Sequence, residues 1–269
     1  MSLPDNALFS RYAQINIGGH LFTSPPFSLE FGQDFKTGRL TQTKARLYNP
    51  SPDTIRTAEP KRVGSVRILT DVIIDAGYES DWGTAVMGKI HDYKVIKKSP
   101  DIILEMTIGD ATSEWTNALI TKTWRQTYAL QILTEILADI SIISTISLGV
   151  NKYYRTFTAT TFRGAVQKIA IDTDSEYYFR NGVFNIQPKS PPRTQTVLFL
   201  SPESGLLNKI EKITRGFKFN TLYFYKLMPG DIVQIQDKNT PVSTVRIVKG
   251  TKQFSSFGKS ECEFEATEI

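Results

Sequence analysis

The sequence predicts an α+β protein that is mainly β, with a β region on either side of a small α+β module. Three observations carry this. Residues 1–119 and 196–269 contain short runs in which apolar and polar side chains alternate, the period of a strand with one buried face. Residues 124–140 instead space their apolar side chains by three and four, the period of a helix. Asn181-Gly182 stands between two β-prone runs, as a tight hairpin turn with two positive φ angles requires.

In the first β region, Tyr12 to Ile17 alternates and ends at Gly18-Gly19, a turn. Phe27, Leu29 and Phe31 then fall on one face of a second run. Arg46-Leu47-Tyr48 ends at Asn49-Pro50-Ser51-Pro52-Asp53, a cluster that stops strands and starts turns. A longer strand signal runs from Val66 to Ala76 and stops at Gly77. Residues 84–97 and 102–108 form a hairpin joined by Lys98-Ser99-Pro100-Asp101. Six strands at this spacing suggest a small barrel or sandwich.

The module comes next. Tyr128, Leu130, Ile132, Leu133, Ile136, Leu137 and Ile140 define an amphipathic helix over residues 124–140. A second helix starts near Thr160 or Thr161, each a candidate N-cap, and runs through Phe162, Val166, Ile169 and Ala170. Tyr177 to Arg180 and Val183 to Ile186 flank the Asn-Gly turn. Lys189-Ser190-Pro191-Pro192-Arg193-Thr194 reads as a linker. Beyond it, residues 197–200, 209–214, 217–225, 231–236, 243–248 and 262–266 are strand-like, and Met228-Pro229-Gly230-Asp231 is a compact turn. The expected domains are residues 1–119, 120–195 and 196–269.

Composition narrows the function. The chain has 269 residues, 40% hydrophobic and 22% charged, the balance of an ordinary globular protein. Its net charge of +5 is modest, and the excess sits in residues 121–200, with nine basic against five acidic side chains. No basic tail suited to nucleic acid stands out. The single cysteine, Cys262, rules out an internal disulfide framework and a cysteine metal cluster. In Glu261-Cys262-Glu263-Phe264-Glu265-Ala266 the alternation puts Cys262, Phe264 and Ala266 on a buried face. Met1 to Asn6 carries neither the basic nor the apolar region of a signal peptide, and Ile132 to Val150 is too polar to span a membrane. A soluble product of a reducing compartment is expected.

Chemistry-bearing patterns are weak. His20 follows a Gly-Gly turn, and His91 lies in a strand beside Asp92, which sequence adjacency places on opposite faces. Asp172, Asp174 and Glu176 lack the remaining oxygen donors and the glycine of a calcium loop. Gly18-Gly19 lacks the other glycines of a dinucleotide fingerprint. Lys89, Lys94, Lys97 and Lys98 form a basic run best read as a solvated strand edge, where lysines discourage stray pairing. No catalytic, cofactor-binding or metal-ligating residue, and no cofactor, is expected.

Several of these segments, taken in order, carry a resemblance. Tyr48-Asn49-Pro50-Ser51, Ala76-Gly77-Tyr78, Gly88-Lys89-Ile90 and Thr107-Ile108-Gly109-Asp110 are similar to the first domain of the baseplate hub proteins of contractile-tailed phages and phage-tail-like bacteriocins. The helix at 124–140 with residues 157–185 resembles that family's inserted module. Ser204-Gly205-Leu206-Leu207 through Met228-Pro229-Gly230-Asp231-Ile232-Val233 resembles its second β-domain. The likeness covers nearly the whole chain and rests on order and spacing. Pro50 stands where the family often has Leu, and Ala111 replaces a glycine after Gly109-Asp110.

The resemblance implies two tube-like β-barrels flanking the module, in a homotrimer whose six barrels form a pseudo-hexameric ring. Such a ring joins the sixfold tail tube to the threefold spike, in a virion tail baseplate assembled in the bacterial cytoplasm. Its implied partners are a tail-tube or tube-initiator protein and a spike protein, with no membrane and no specific nucleic acid, while the basic excess of the middle module suggests a face for a tape-measure protein or the DNA path. The sequence stops after the second β-domain, with no fused spike or cell-wall hydrolase, which leaves open whether those parts are separate proteins. Two rivals stay open. One is a cell-wall glycan hydrolase using a pair among Asp172, Asp174 and Glu176, since glycoside hydrolysis needs two carboxyl groups about 5–9.5 Å apart. The other is a carbohydrate- or receptor-binding tail module presenting Tyr177 and Tyr178.

Overall fold

A computed structural model describes residues 10–64, 66–78, 81–109, 115, 119–189 and 198–269. Its contacts divide the chain into two compact units. One comprises residues 1–36, 41–110 and 196–269, the other residues 37–40 and 111–195. The chain is α+β and mainly β, as the alternation predicts.

In chain order the larger unit begins with β1 (Arg11–Ile17), β2 (His20–Ser24), β3 (Leu29–Lys36), β4 (Gln42–Tyr48), α1 (Pro52–Ala58), β5 (Lys61–Val63), β6 (Val66–Ile68), β7 (Asp71–Tyr78), β8 (Asp81–Lys98) and β9 (Asp101–Gly109). The smaller unit holds β10 (Leu119–Tyr128), α2 (Ala129–Asp139), β11 (Ser144–Ile146), β12 (Tyr153–Thr161), α3 (Phe162–Asp172), β13 (Ser175–Arg180) and β14 (Val183–Pro188). The larger unit resumes with β15 (Leu198–Leu200), β16 (Glu211–Ile213), β17 (Gly216–Leu222), β18 (Ile232–Ile235), β19 (Ser243–Ser255) and β20 (Glu261–Glu268).

The larger unit is built on one sheet in the order β16-β17-β20-β19-β3-β4-β9-β8-β7-β1-β2, with β18 paired to β19 and β15 to β18. Two long strands make its corners. Asp81 to Lys89 of β8 pairs with β7, while Lys89 to Lys98 pairs with β9. β19 pairs with β18, β20 and β3 in succession, so the two β segments of the chain meet where Lys249 to Ser255 runs antiparallel to Glu30 to Lys36. One apolar core lies against the inner face, with Ile15, Ile74, Val86 and Leu104 from the first segment and Val245, Phe219 and Phe264 from the second.

Two glycines explain their own presence. A Cβ on Gly77 would meet Asp81 O at 2.3 Å and the Trp82 Cα at 2.6 Å. One on Gly88 would meet Gly109 O at 2.4 Å. Both positions need close backbone approach, which only glycine allows.

Two expectations are corrected in this unit. The cluster after Tyr48 does more than turn the chain. Ser51 Oγ accepts the Thr54 N–H at 3.2 Å and Pro52 occupies the first helical turn, so α1 forms. The run from Val66 to Ala76 is also not one strand. It breaks at Leu69-Thr70, where the Thr70 hydroxyl donates to Thr57 O at 2.7 Å and Thr70 O accepts the Ile90 N–H at 2.9 Å.

The smaller unit contains the largest local correction. Residues 124–128 are strand, and α2 begins at Ala129. β10 pairs antiparallel with β12, setting Trp124 opposite Phe157 with ring centroids 5.9 Å apart. A pairing partner 33 residues away along the chain in that register outweighs the local helical spacing. The helix starts where Gln131 Oε1 accepts the Tyr128 N–H at 3.2 Å and Lys152 O accepts the Ala129 N–H at 2.8 Å. α3 is capped as expected, with Thr161 Oγ1 accepting the Gly164 N–H at 3.1 Å. Asn181 and Gly182 have φ of 51° and 77°, the tight hairpin turn that the dipeptide predicts. Both helices bury one face on the ribbon β10–β12 and on the sheet β11-β14-β13, around Ile132, Leu133, Phe157, Val166, Ile169 and Phe184. Residues 1–6, Asp110 with Ala111, and residues 190–194 of the expected linker lie outside the described residues.

Candidate assembly surfaces

The outer face of the large sheet changes character along its length. Around β2-β1-β7-β8, strand register lines up Leu21, Asn16, Ile73 and Met87 in one cross-strand row. Leu21 is 57% exposed and Met87 46%, with Asn16 and Ile73 half-buried between them. Trp82 lies two rows away on the same face, 42% exposed, its ring 4.4 Å from that of Tyr12. Between these apolar groups Asp75 takes hydrogen bonds from Gln14 Nε2 at 2.6 Å and from the Thr84 hydroxyl at 2.7 Å. Asp71 and Lys89 close the other flank as an ion pair at 2.6 Å. An apolar row framed by satisfied polar groups is the anatomy of a contact patch.

The outer face over β17-β20-β19-β3-β4-β9 is laced with opposite charges. Lys218 pairs with Glu263 at 3.0 Å, Lys249 with Glu265 at 2.7 Å, and Arg46 with Glu105 at 2.7 Å. The Glu105 carboxylate raises the Arg46 guanidinium pKa above its ordinary value through their hydrogen bond. Cross-strand pairs of this kind suit a face that meets water. The basic run divides, with Lys89 flanked by β7 and β9 and paired with Asp71. Lys94, Lys97 and Lys98 lie on the half of β8 that pairs only with β9, an open edge among the described residues.

The acids considered for catalysis are occupied. Asp172 ends α3, where it accepts the Tyr154 hydroxyl at 2.8 Å and pairs with Lys152 at 3.2 Å. Burial, and then this carboxylate, push the Tyr154 phenol well up. Asp174 pairs with Lys189 at 3.1 Å, and Glu176 accepts from Gln187 Nε2 at 3.3 Å. The fold gives each of the three a polar partner of its own. Tyr177 and Tyr178 do not present a binding face either. Both are buried, Tyr177 with its hydroxyl donating to Gly38 O at 3.0 Å. His20 lies 3.4 Å from the Thr57 hydroxyl at the start of β2. Cys262, Phe264 and Ala266 are buried together as the alternation predicts, and burial pushes the Cys262 thiol up to about 11. A thiol so protonated is a core side chain and a poor nucleophile.

Sequence reading missed the Leu21–Met87 row. Its members come from four strands and become neighbours only through register. The one local sign is Leu21 itself, which takes the polar phase of its strand.

With this geometry in hand, the fold is that of phage tail proteins and of a related secretion-system component. The chain superposes on the 43 kDa tail protein of prophage MuSo2 from Shewanella oneidensis with a TM-score of 0.67 and 11% identity, covering 96% of this chain and 98% of that one. It matches an Escherichia coli component of the type VI secretion system, described as structurally similar to the T4 tail proteins gp27 and gp5. There the TM-score is 0.71 at 12% identity, over 95% of this chain and 76% of the other. A tail protein from Neisseria meningitidis gives 0.68 at 9% identity, over 97% of each chain. No protein-family model and no curated protein matches the sequence. At such identities the likeness is one of fold.

Proposed function

We propose that this chain is a structural, non-enzymatic hub of a phage tail baseplate. In this reading it forms a homotrimer in which the β segments 1–119 and 196–269 act as two tube domains flanking the module 120–195. Six such domains make a pseudo-hexameric ring that joins the sixfold tail tube to the threefold spike. Its neighbours are a tube or tube-initiator protein, the spike protein and the tape-measure protein, in a virion tail assembled in the host cytoplasm. The observation that carries this reading is a fold likeness to tail proteins extending over 95% or more of the chain. The apolar row Leu21–Ile73–Met87 supports self-association and is the contact we assign to the neighbouring copy.

A reconstruction of purified tail tips tests this. The expected result is a ring of three copies between tube and spike, and particles carrying only monomers overturn the proposal. Leu21→Glu with Met87→Lys is expected to abolish the trimer in mass photometry of tail tips while leaving the fold intact. Peptidoglycan hydrolysis that is lost in Asp172→Ala or Glu176→Ala would establish the hydrolase instead.

A further inference from the structure

The ribbon β10–β12 stands apart from the large sheet among the described residues. β10 has 10 residues and β12 has 9, and among the described residues they pair only with each other. Each therefore leaves a long main-chain edge open among the described residues. In the large sheet the terminal strands β16 and β2 are short, with 3 and 5 residues, and the open half of β8 carries Lys94, Lys97 and Lys98. Short edges are one way proteins blunt unwanted pairing.

The ribbon is also one-signed. Its 19 residues include Lys122, Arg125 and Arg155 and no carboxylate. Lys122 is taken by Glu135. Arg125 and Arg155 are exposed and have no carboxylate partner among the described residues. Around Arg125 the outward face is hydroxylated, with Thr123 and Thr158 opposite each other, their Oγ atoms 3.2 Å apart, and Thr156 directly across from Arg125.

From this juxtaposition of open edge, unpaired cations and hydroxyl face we infer that the ribbon docks an extended acidic segment of another protein by strand addition. Main-chain hydrogen bonds along either free edge supply affinity, with acidic side chains meeting Arg125 at the β10 edge or Arg155 at the β12 edge. A groove-reading polyanion such as duplex DNA would use the same charges without the edge. The open edge therefore favours the polypeptide. The inference stands independently of the hub reading, since it concerns the isolated chain.

Fluorescence anisotropy on the full chain tests it, with a synthetic alternating Glu-Val peptide matched in length to β12 as the probe. The peptide is expected to bind, and Arg125→Glu with Arg155→Glu to weaken binding by about tenfold or more, with an unchanged melting temperature as the folding control. A version methylated on alternate backbone nitrogens is expected to lose binding, because it cannot donate along the edge. Failure of the Glu-Val peptide to bind, equal binding of the methylated or of an alternating Lys-Val peptide, or tighter binding of duplex DNA would each overturn the inference.

Discussion

Two stretches of the same sheet, built from equally alternating strands, present opposite outer faces. Over β17-β20-β19-β3-β4-β9 nearly every outward position is charged or polar, and lysine, arginine and glutamate pair across strands. Over β2-β1-β7-β8 the outward row is Leu21, Asn16, Ile73 and Met87. The inner faces are alike and enclose one core. The difference teaches that alternation specifies which side is inside, while the identity of the outward residues specifies what the outside is for. A solvated face can carry exposed ion pairs, each worth about 0–1 kcal/mol. A face left apolar in water has a use for that area.

The largest test of this contrast compares adjacent residues of β7. Ile74 is fully buried, and Ile74→Ala should cost about 2–5 kcal/mol of stability in denaturant unfolding. Ile73, its half-buried outward neighbour, should cost about 1 kcal/mol or less in the isolated chain and show its effect in assembly. Equal losses in the isolated chain would break the distinction between the two faces.

Next in size is the strand end that positions Trp82. Gly77→Ala should destabilise the chain by about 2 kcal/mol or more, because the new methyl meets Asp81 O and Trp82 Cα. Thermal unfolding measures it, and a neutral result would mean the turn relaxes freely.

On the charged face, Arg46→Ala should change stability by about 0–1 kcal/mol, since its side chain is 51% exposed. It should leave assembly unchanged, whereas Leu21→Glu should disrupt assembly with little change in melting temperature. Reversed outcomes in a tail-tip assembly assay would swap the roles of the two faces.

The smallest effect concerns pH. In the smaller unit the Lys122 ammonium, and then the Trp124 indole N–H at 2.7 Å, hold the Glu135 carboxyl below its ordinary value of 4.5. A group depressed in the folded state contributes stability above its unfolded value and loses it as pH falls through the folded one. Glu135→Gln should therefore lower the melting temperature slightly near neutrality, with the two chains converging as pH falls below 4.5. A native thiol assay offers a further check, because Cys262 should react only on unfolding.

Much of the fold was legible because it is local. The Asn181-Gly182 turn, the Thr161 cap and the burial of Cys262, Phe264 and Ala266 each follow from a few neighbouring residues. Ser51-Pro52 carried a helix start that was read only as a turn, although a serine cap before proline is a recognisable signal. The start of α2 was not legible, since Trp124 joins a strand through Phe157, far along the chain. The candidate surfaces were less legible still. Leu21 and Met87 are ordinary residues until four strands align them.

The sequence by itself determined a mainly β chain with one helical module, its turns, its buried strand faces and the absence of a cysteine framework, because these depend on residue periodicity and turn chemistry within a few positions. Only the tertiary structure decided that the two β segments share one sheet, that the three acids have separate partners, and which outward residues form a row. Those properties depend on register between distant strands, and register is set by the packing of the whole core.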